Sequence, residues 1–340
     1  MAAPPGASPF PPGFLAEDRG PTIIAVNATI QGIACLIVIL RIISRFTLVK
    51  KVGADDWMIV VATILATVNI VIASQSVKFG TGKHKQAIPK DNLIPSGIYR
   101  FITRVIYFLI SGATKLSVGL LYLRIFPTLK KHVYILIGFI VAMTIALEVA
   151  TILQCIPVEA VWTMDPTGKC FDIVAFSYSA SALAVVTDIW TLVLPLRTVL
   201  SLQIQRNQKI VLVGMFSLGL IACIAGIVRM AFLITLLTST DQPWDTYGTS
   251  ITSGIEMALG IITASLPSLK PLADRMFPNL FPTSKNTSGA TPNRYELGST
   301  KQSRGFVSIG SRRDHDEADS TKAIKVDYDY NVTSEQQPRY

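Results

Sequence analysis

Seven long apolar runs recur along the chain, at residues 22–44, 56–77, 96–123, 132–154, 173–196, 209–238 and 249–269, with polar stretches between them. As a helix, each run is long enough to cross a hydrocarbon layer of about 30 Å. Inside a bilayer the backbone finds no water, so its N–H and C=O groups must be bonded within each segment; this predicts helices, not strands. The expected fold class is an all-α membrane protein, a seven-transmembrane-helix bundle over residues 22–275. Residues 1–21, with six prolines, are expected to form a disordered extracellular leader. Residues 276–340 are expected to form a disordered cytosolic tail. From 281 onward Ser, Thr, Asn, Gly and charged residues prevail, and too little apolar surface is available to fold alone.

Composition agrees with a membrane class. Of 340 residues 50% are hydrophobic and 16% charged, against about 25% charged in a soluble domain. The net charge of +9 does not point to nucleic acid, because the last seventy residues nearly balance, ten Lys and Arg against nine Asp and Glu. Most of the surplus sits in short loops, where Lys and Arg set orientation. Arg45, Lys50 and Lys51, then Arg124, Lys130 and Lys131, then Arg197, Arg206 and Lys209 fall on one side. The other side has Arg19 and Lys169, but also Lys78, Lys83, Lys85 and Lys90 in the second loop, which run against the rule. The majority predicts an outer N-terminus and a cytosolic tail, in the plasma membrane. Residues 1–21 lack the charged start and apolar core of a cleavable signal. The first helix is therefore expected to act as the targeting signal as well.

The candidate chemistry is charge at membrane depth, which is costly and usually faces a partner or a cavity. Counting about 1.5 Å of rise per residue puts Arg100, Arg104, Glu148, Arg229 and Glu256 in an outer layer, with Lys115 and Asp188 deeper. These seven are the candidates for a ligand-binding or polar core. Arg229 is expected to pair with Glu256 or Glu148, and Lys115 with Asp188. Cys155 and Cys170, on the expected outer and oxidising side, predict a disulfide. The loop between them, with Trp162 and the turn signal Asp165-Pro166-Thr167-Gly168, reads either as a lid over an outer cavity or as simple loop stabilisation. Asp55 and Asp56 read as helix caps, and Pro195, Pro267 and Pro271 as helix ends. Gly214 and Gly219 read as sites of close helix packing. His84, His132 and His315 lie outside the runs, and no metal spacing, nucleophile elbow or phosphate loop is present. Neither catalytic residues nor cofactor nor metal ion is expected, and the chain is not expected to be an enzyme.

In order and spacing, several motifs resemble the fungal rhodopsin-domain family of integral membrane proteins. They are Gly53-Ala54-Asp55-Asp56-Trp57, Phe79-Gly80 with Gly82-Lys83-His84, and Thr114-Lys115-Leu116-Ser117 through Tyr122-Leu123-Arg124-Ile125-Phe126. Cys155, Pro157, Trp162 and Cys170 follow, then Asp188 with Leu194-Pro195, Lys209 to Arg229, Glu256, and Pro267-Ser268-Leu269-Lys270-Pro271. That family includes candidate G-protein-coupled-receptor-like proteins and a satratoxin-cluster membrane protein. The resemblance implies seven helices, an outer N-terminus and a cytosolic tail. Retinal is not expected, since the last run has Lys270 only at its cytosolic end. The family's cysteine-rich outer domain is not expected either, because no cysteine precedes Cys35.

Two functions remain. A receptor-like protein would sense a small molecule or surface cue in an outer cavity and signal to a cytosolic protein, with Lys115, Asp188 and Arg197 as an inner lock. A small-molecule transporter or exporter tied to a biosynthetic pathway would use the same buried charges as a path. The expected partners are the lipid bilayer, a small-molecule ligand and a cytosolic signalling protein, with no nucleic acid.

Overall fold

A lipid-facing backbone must satisfy itself, and the apolar runs do so as long helices. The computed structural model describes residues 13–163, 168–201 and 206–276. In chain order the helices are α1 (Gly20–Ser44), α2 (Ala54–Lys78), α3 (Lys90–Ile125), α4 (Lys130–Ile152), the short α5 (Ala160–Thr163), α6 (Ile173–Ser201), α7 (Arg206–Thr238) and α8 (Gln242–Met276). Apart from α5, each contains a stretch long and apolar enough to cross a membrane. Strands β1 (Cys155–Ile156) and β2 (Lys169–Cys170) pair antiparallel just before α6, and the Cys155–Cys170 disulfide joins them. The seven long helices alternate in direction. The start of α1, the β1–β2 hairpin and the turns into α3 and α8 therefore share one end, called here the leader end.

The packed centre lies among α1, α2, α3 and α8, where Ala34, Ala66, Ala258 and Ala264 sit with Val38, Ile59, Ile110 and Ile261. Small residues let helices approach closely where lipid supplies no hydrophobic drive between them. The outer faces carry exposed Ile33, Leu36, Ile64, Ile145 and Ile224, the side chains that would meet lipid. Gly112 of α3 allows the approach of α4, since an added Cβ would lie 2.5 Å from Thr144 Oγ1. Gly219 does the same against Leu192, whereas Gly214 has open space beside it.

Several expected boundaries are corrected. Residues 13–19 were expected in the disordered leader, but they pack on the bundle. The Arg19 N–H donates to Gly82 O, and the Gly82 N–H to Pro243 O, both at 2.9 Å. Gly82 has φ +96°, and a Cβ there would meet the backbone of Gly20. Phe14 and Trp244 stack on either face of His84 at 3.8 and 3.9 Å, and Arg19 lies over the Trp244 ring. Aromatic and cationic side chains thus hold down residues 13–19, whose short pattern gave no sign of order. The third and seventh spans begin earlier than expected, at Lys90 and Gln242, because their first turns are polar and hydropathy does not register them.

The prolines do not end helices as expected: Pro195 lies inside α6, and Pro267 and Pro271 inside α8. Each of these α8 prolines lacks the N–H that would bond the carbonyl four residues back, of Thr263 and Pro267, and the next carbonyl along meets a donor on α1. Arg41 Nη1 donates to Ala264 O at 2.6 Å and Ser44 Oγ to Ser268 O at 3.2 Å, each carbonyl three residues before a proline. Donors from a neighbouring helix beside a proline help to make it tolerable inside a span. The disorder expected for residues 1–12 and from 277 onward falls outside the described residues, as do the turn signal Asp165-Pro166-Thr167 and the side chains of Arg197, Arg206 and Lys209.

Candidate functional site

Arg229 on α7 reaches Glu256 on α8, with Nε 2.7 Å from Oε2. The other carboxylate oxygen accepts the Tyr107 hydroxyl of α3 at 2.6 Å, and the Arg229 guanidinium lies 4.7 Å from the centre of the Tyr107 ring. One acid, one base and one phenol therefore tie three helices together. Deeper in the bundle, Lys115 Nζ on α3 lies 3.0 Å from Asp188 Oδ1 on α6. It also donates to Thr187 Oγ1 at 2.7 Å and to Ala184 O at 3.1 Å, which gives a partner to each of its three N–H groups. Of the two acids considered for Arg229, Glu256 is the one it meets. Glu148 on α4 stays apart, and its Oε1 has no hydrogen-bond partner among the described residues.

Two cavities lie on either side of the Arg229–Glu256–Tyr107 group. The first, about 160 Å³, is at the leader end and is lined by residues of α1, α2, α3, α6, α7 and α8. Arg100, Arg104 and Arg229 face it, with Asn27, Asn69 and Thr249 among its polar residues. The second, about 100 Å³, is deeper and is lined by Lys115, Asp188, Glu256 and Tyr122 among others. Tyr107 and Met257 border both. The charged group is thus a partition between two spaces. None of the described residues between Cys155 and Cys170 lines the first cavity. Trp162 packs against Gly97 and Phe101 of α3, which favours the loop-stabilising reading of its loop over the lid. Lys270 lines neither cavity, and no described group of three or more His, Cys, Asp or Glu could hold a metal ion.

At the far end lies a network that the sequence reading did not anticipate. Arg41 is fully buried; its Nη2 donates to Asp55 Oδ2 at 2.6 Å and its Nε to Asp56 Oδ1 at 2.8 Å. Arg45 donates to Ser268 Oγ at 2.8 Å, and Arg124 lies 3.7 Å from Asp55. Ser117 Oγ donates to the Asp55 carbonyl at 2.7 Å. The capping role read for Asp56 is also present, since its Oδ2 accepts the Gly53 N–H at 3.0 Å. The motif residues Asp55, Asp56, Ser117, Arg124 and Ser268, distant in sequence, therefore meet at one place. The available signal was two basic residues four apart, Arg41 and Arg45, just before an Asp-Asp pair.

A family model described as the fungal rhodopsin domain matches residues 40–275. A protein of Metarhizium anisopliae described as a polyenoic acids biosynthesis gene cluster protein is 27% identical over 81% of this chain and 78% of its own length. A SAT4 family membrane protein of Emericella nidulans is 28% identical over 58% of this chain, which spans 52% of that relative's length. A protein of Arthrobotrys oligospora described as the receptor GIN3 is 23% identical over 84% of this chain and 71% of its own. No solved structure matches the chain.

Proposed function

Since the chain belongs to the fungal rhodopsin domain family, we propose that it is a receptor-like protein of the plasma membrane that takes a small molecule into the leader-end cavity and signals through the far end. The observation that carries the reading is the partition. A ligand that draws Arg229 or Tyr107 toward itself must loosen their bonds to Glu256, and Glu256 also borders the second cavity beside Asp188. Movement of α8 then reaches the far end, where Arg41 and Ser44 of α1 grip the carbonyls beside its prolines. The leader end faces outward in this reading. Its disulfide and the basic loops opposite support that orientation. The tail, on the cytosolic side, carries the signal to a protein partner, and no chemical step is involved. A relative described as a receptor supports the class.

A test is proximity labelling from the tail in a fungal host, comparing the wild type with Glu256→Gln. Recovery of G-protein subunits or other signalling proteins, altered by the substitution, is the expected result. Wild-type labelling that returns no signalling protein overturns the reading.

The same partition favours a second reading, an exporter or transporter. Two cavities in line, parted by a charged gate, suit a path with alternating access. A relative described as a biosynthesis gene cluster protein is consistent with it. Flux of a labelled small molecule across vesicles reconstituted with the purified chain separates this class from the receptor class.

A further inference from the structure

Three arginines line the leader-end cavity, and among them only Arg229 has an acid partner. Arg100 and Arg104, one helical turn apart on α3, form no ion pair among the described residues, and no carboxylate lines the cavity. Arg100 Nη1 is buried without a hydrogen-bond partner. So are Asn27 Oδ1, Asn69 Oδ1 and Thr249 Oγ1, which belong to residues lining the same space. A buried charge without a partner is strongly disfavoured. At membrane depth it is retained mainly where a substrate, ion or cavity uses it. Around the same space stand Ile70, Phe108, Leu233, Leu236 and Met257, which offer an apolar wall.

From this pairing of uncompensated cations with an apolar wall, we infer that the cavity takes an amphipathic organic acid, its carboxylate held by Arg100 and Arg104 and its apolar body against α7 and α8. The inference rests on the ligand-sensing reading above and names the chemical class of its ligand. Arginine suits the role because its planar guanidinium stays charged at any working pH and meets a carboxylate with two parallel N–H bonds. The Thr249 hydroxyl supplies a further donor, while the open Asn27 and Asn69 Oδ1 atoms are acceptors that suit a hydroxyl on the ligand's body. An amine would meet three positive neighbours with no acid to balance it. A neutral ligand would leave both arginines unpaired.

The test uses the full chain in phosphatidylcholine nanodiscs, with benzoate, benzamide and benzylamine as probes of one shape and three charges. Their saturable effect on the unfolding midpoint is read after subtracting the effect on empty discs, since a ligand that binds only the native state stabilises it. Benzoate is expected to bind at least tenfold more tightly than benzamide, and benzylamine not to bind. Arg100→Gln and Arg104→Gln are each expected to weaken benzoate about tenfold, the double variant to abolish its effect, and Arg100→Lys with Arg104→Lys to retain part of it. The lysine pair serves as the folded comparison should the glutamine variants fail to assemble; full wild-type affinity for benzoate in the lysine variants counts against the bidentate contact. Equal affinities for benzoate and benzamide, or benzoate binding unchanged by the substitutions, overturns the organic-acid inference and leaves a ligand cavity standing. Absence of binding by all three probes overturns the inference together with the ligand-sensing reading.

Discussion

Arg41 touches two carboxylates and a carbonyl, whereas Arg229 touches one carboxylate and the face of a ring. Removing one partner of a buried pair leaves the other uncompensated, at a cost of about 3–5 kcal/mol. Glu256→Gln is expected to destabilise by about that amount, read as the unfolding midpoint in detergent. The exchange Arg229→Glu with Glu256→Arg is expected to recover part of the loss, and an exchange that recovers none contradicts the pairing. Tyr107→Phe removes a single hydrogen bond to a charged group and is expected to cost about 1.5–3 kcal/mol in the same measurement. The Lys115–Asp188 contact could be seen in the sequence because helical rise alone puts the two at one depth. The Arg41 contacts could not, because Asp55 and Asp56 stand at a helix start, where a carboxylate already has a local reason to be. Asp56 serves for capping and ion pairing at once, and only the fold shows that both occur.

At the scale of elements, close packing and its absence are side by side on α3 and α4. Gly112→Leu would drive a side chain into Thr144 and is expected to cost about 1–3 kcal/mol. Gly138→Leu has nothing within 4 Å and is expected to leave the midpoint unchanged or raised, since glycine is a poor helix former. A midpoint lowered equally by both substitutions would place the α3–α4 contact elsewhere. Replacing Cys155 and Cys170 by serine opens a loop with a sequence separation of 15. It is expected to cost about 3 kcal/mol in the chain-entropy model, read by thermal unfolding with and without reductant. Hydropathy reveals the middle of every span, because lipid demands apolar side chains there. It does not reveal the ends, where Gln242 and Lys90 begin helices with polar turns. Nor does it show that Pro267 and Pro271 stay within α8, where the donors beside them come from α1, more than two hundred residues away in sequence.

For the whole molecule the expectation is one of sidedness. Glu17 lies at the leader end and is exposed, and Lys51 is exposed at the far end. With the leader end outward, Glu17→Cys is expected to react with a membrane-impermeant maleimide on intact protoplasts, and Lys51→Cys only after permeabilisation. The reverse pattern would invert the receptor reading. The lysines of the second loop, which run against the charge rule, are partly answered in the fold: Lys83 lies 3.6 Å from Asp18. That answer depends on the order of residues 13–19, which the amino-acid pattern did not reveal.

The spacing of the ion pairs along the chain also sets a timetable for synthesis. Arg41 meets its two acids about fifteen residues later, within one helical hairpin, and Arg229 meets Glu256 twenty-seven residues later. Lys115 must wait about seventy residues, until α4 has passed and α6 arrives. At about 5–20 residues per second that is a delay of about 4–14 s. During it α3 holds Arg100, Arg104 and Lys115 with no acid beyond Asp91 in its first turn. The nascent third helix is therefore the one most in need of shelter by the insertion machinery, and an insertion assay on chains ending before and after Asp188 should see it settle only with the longer ones.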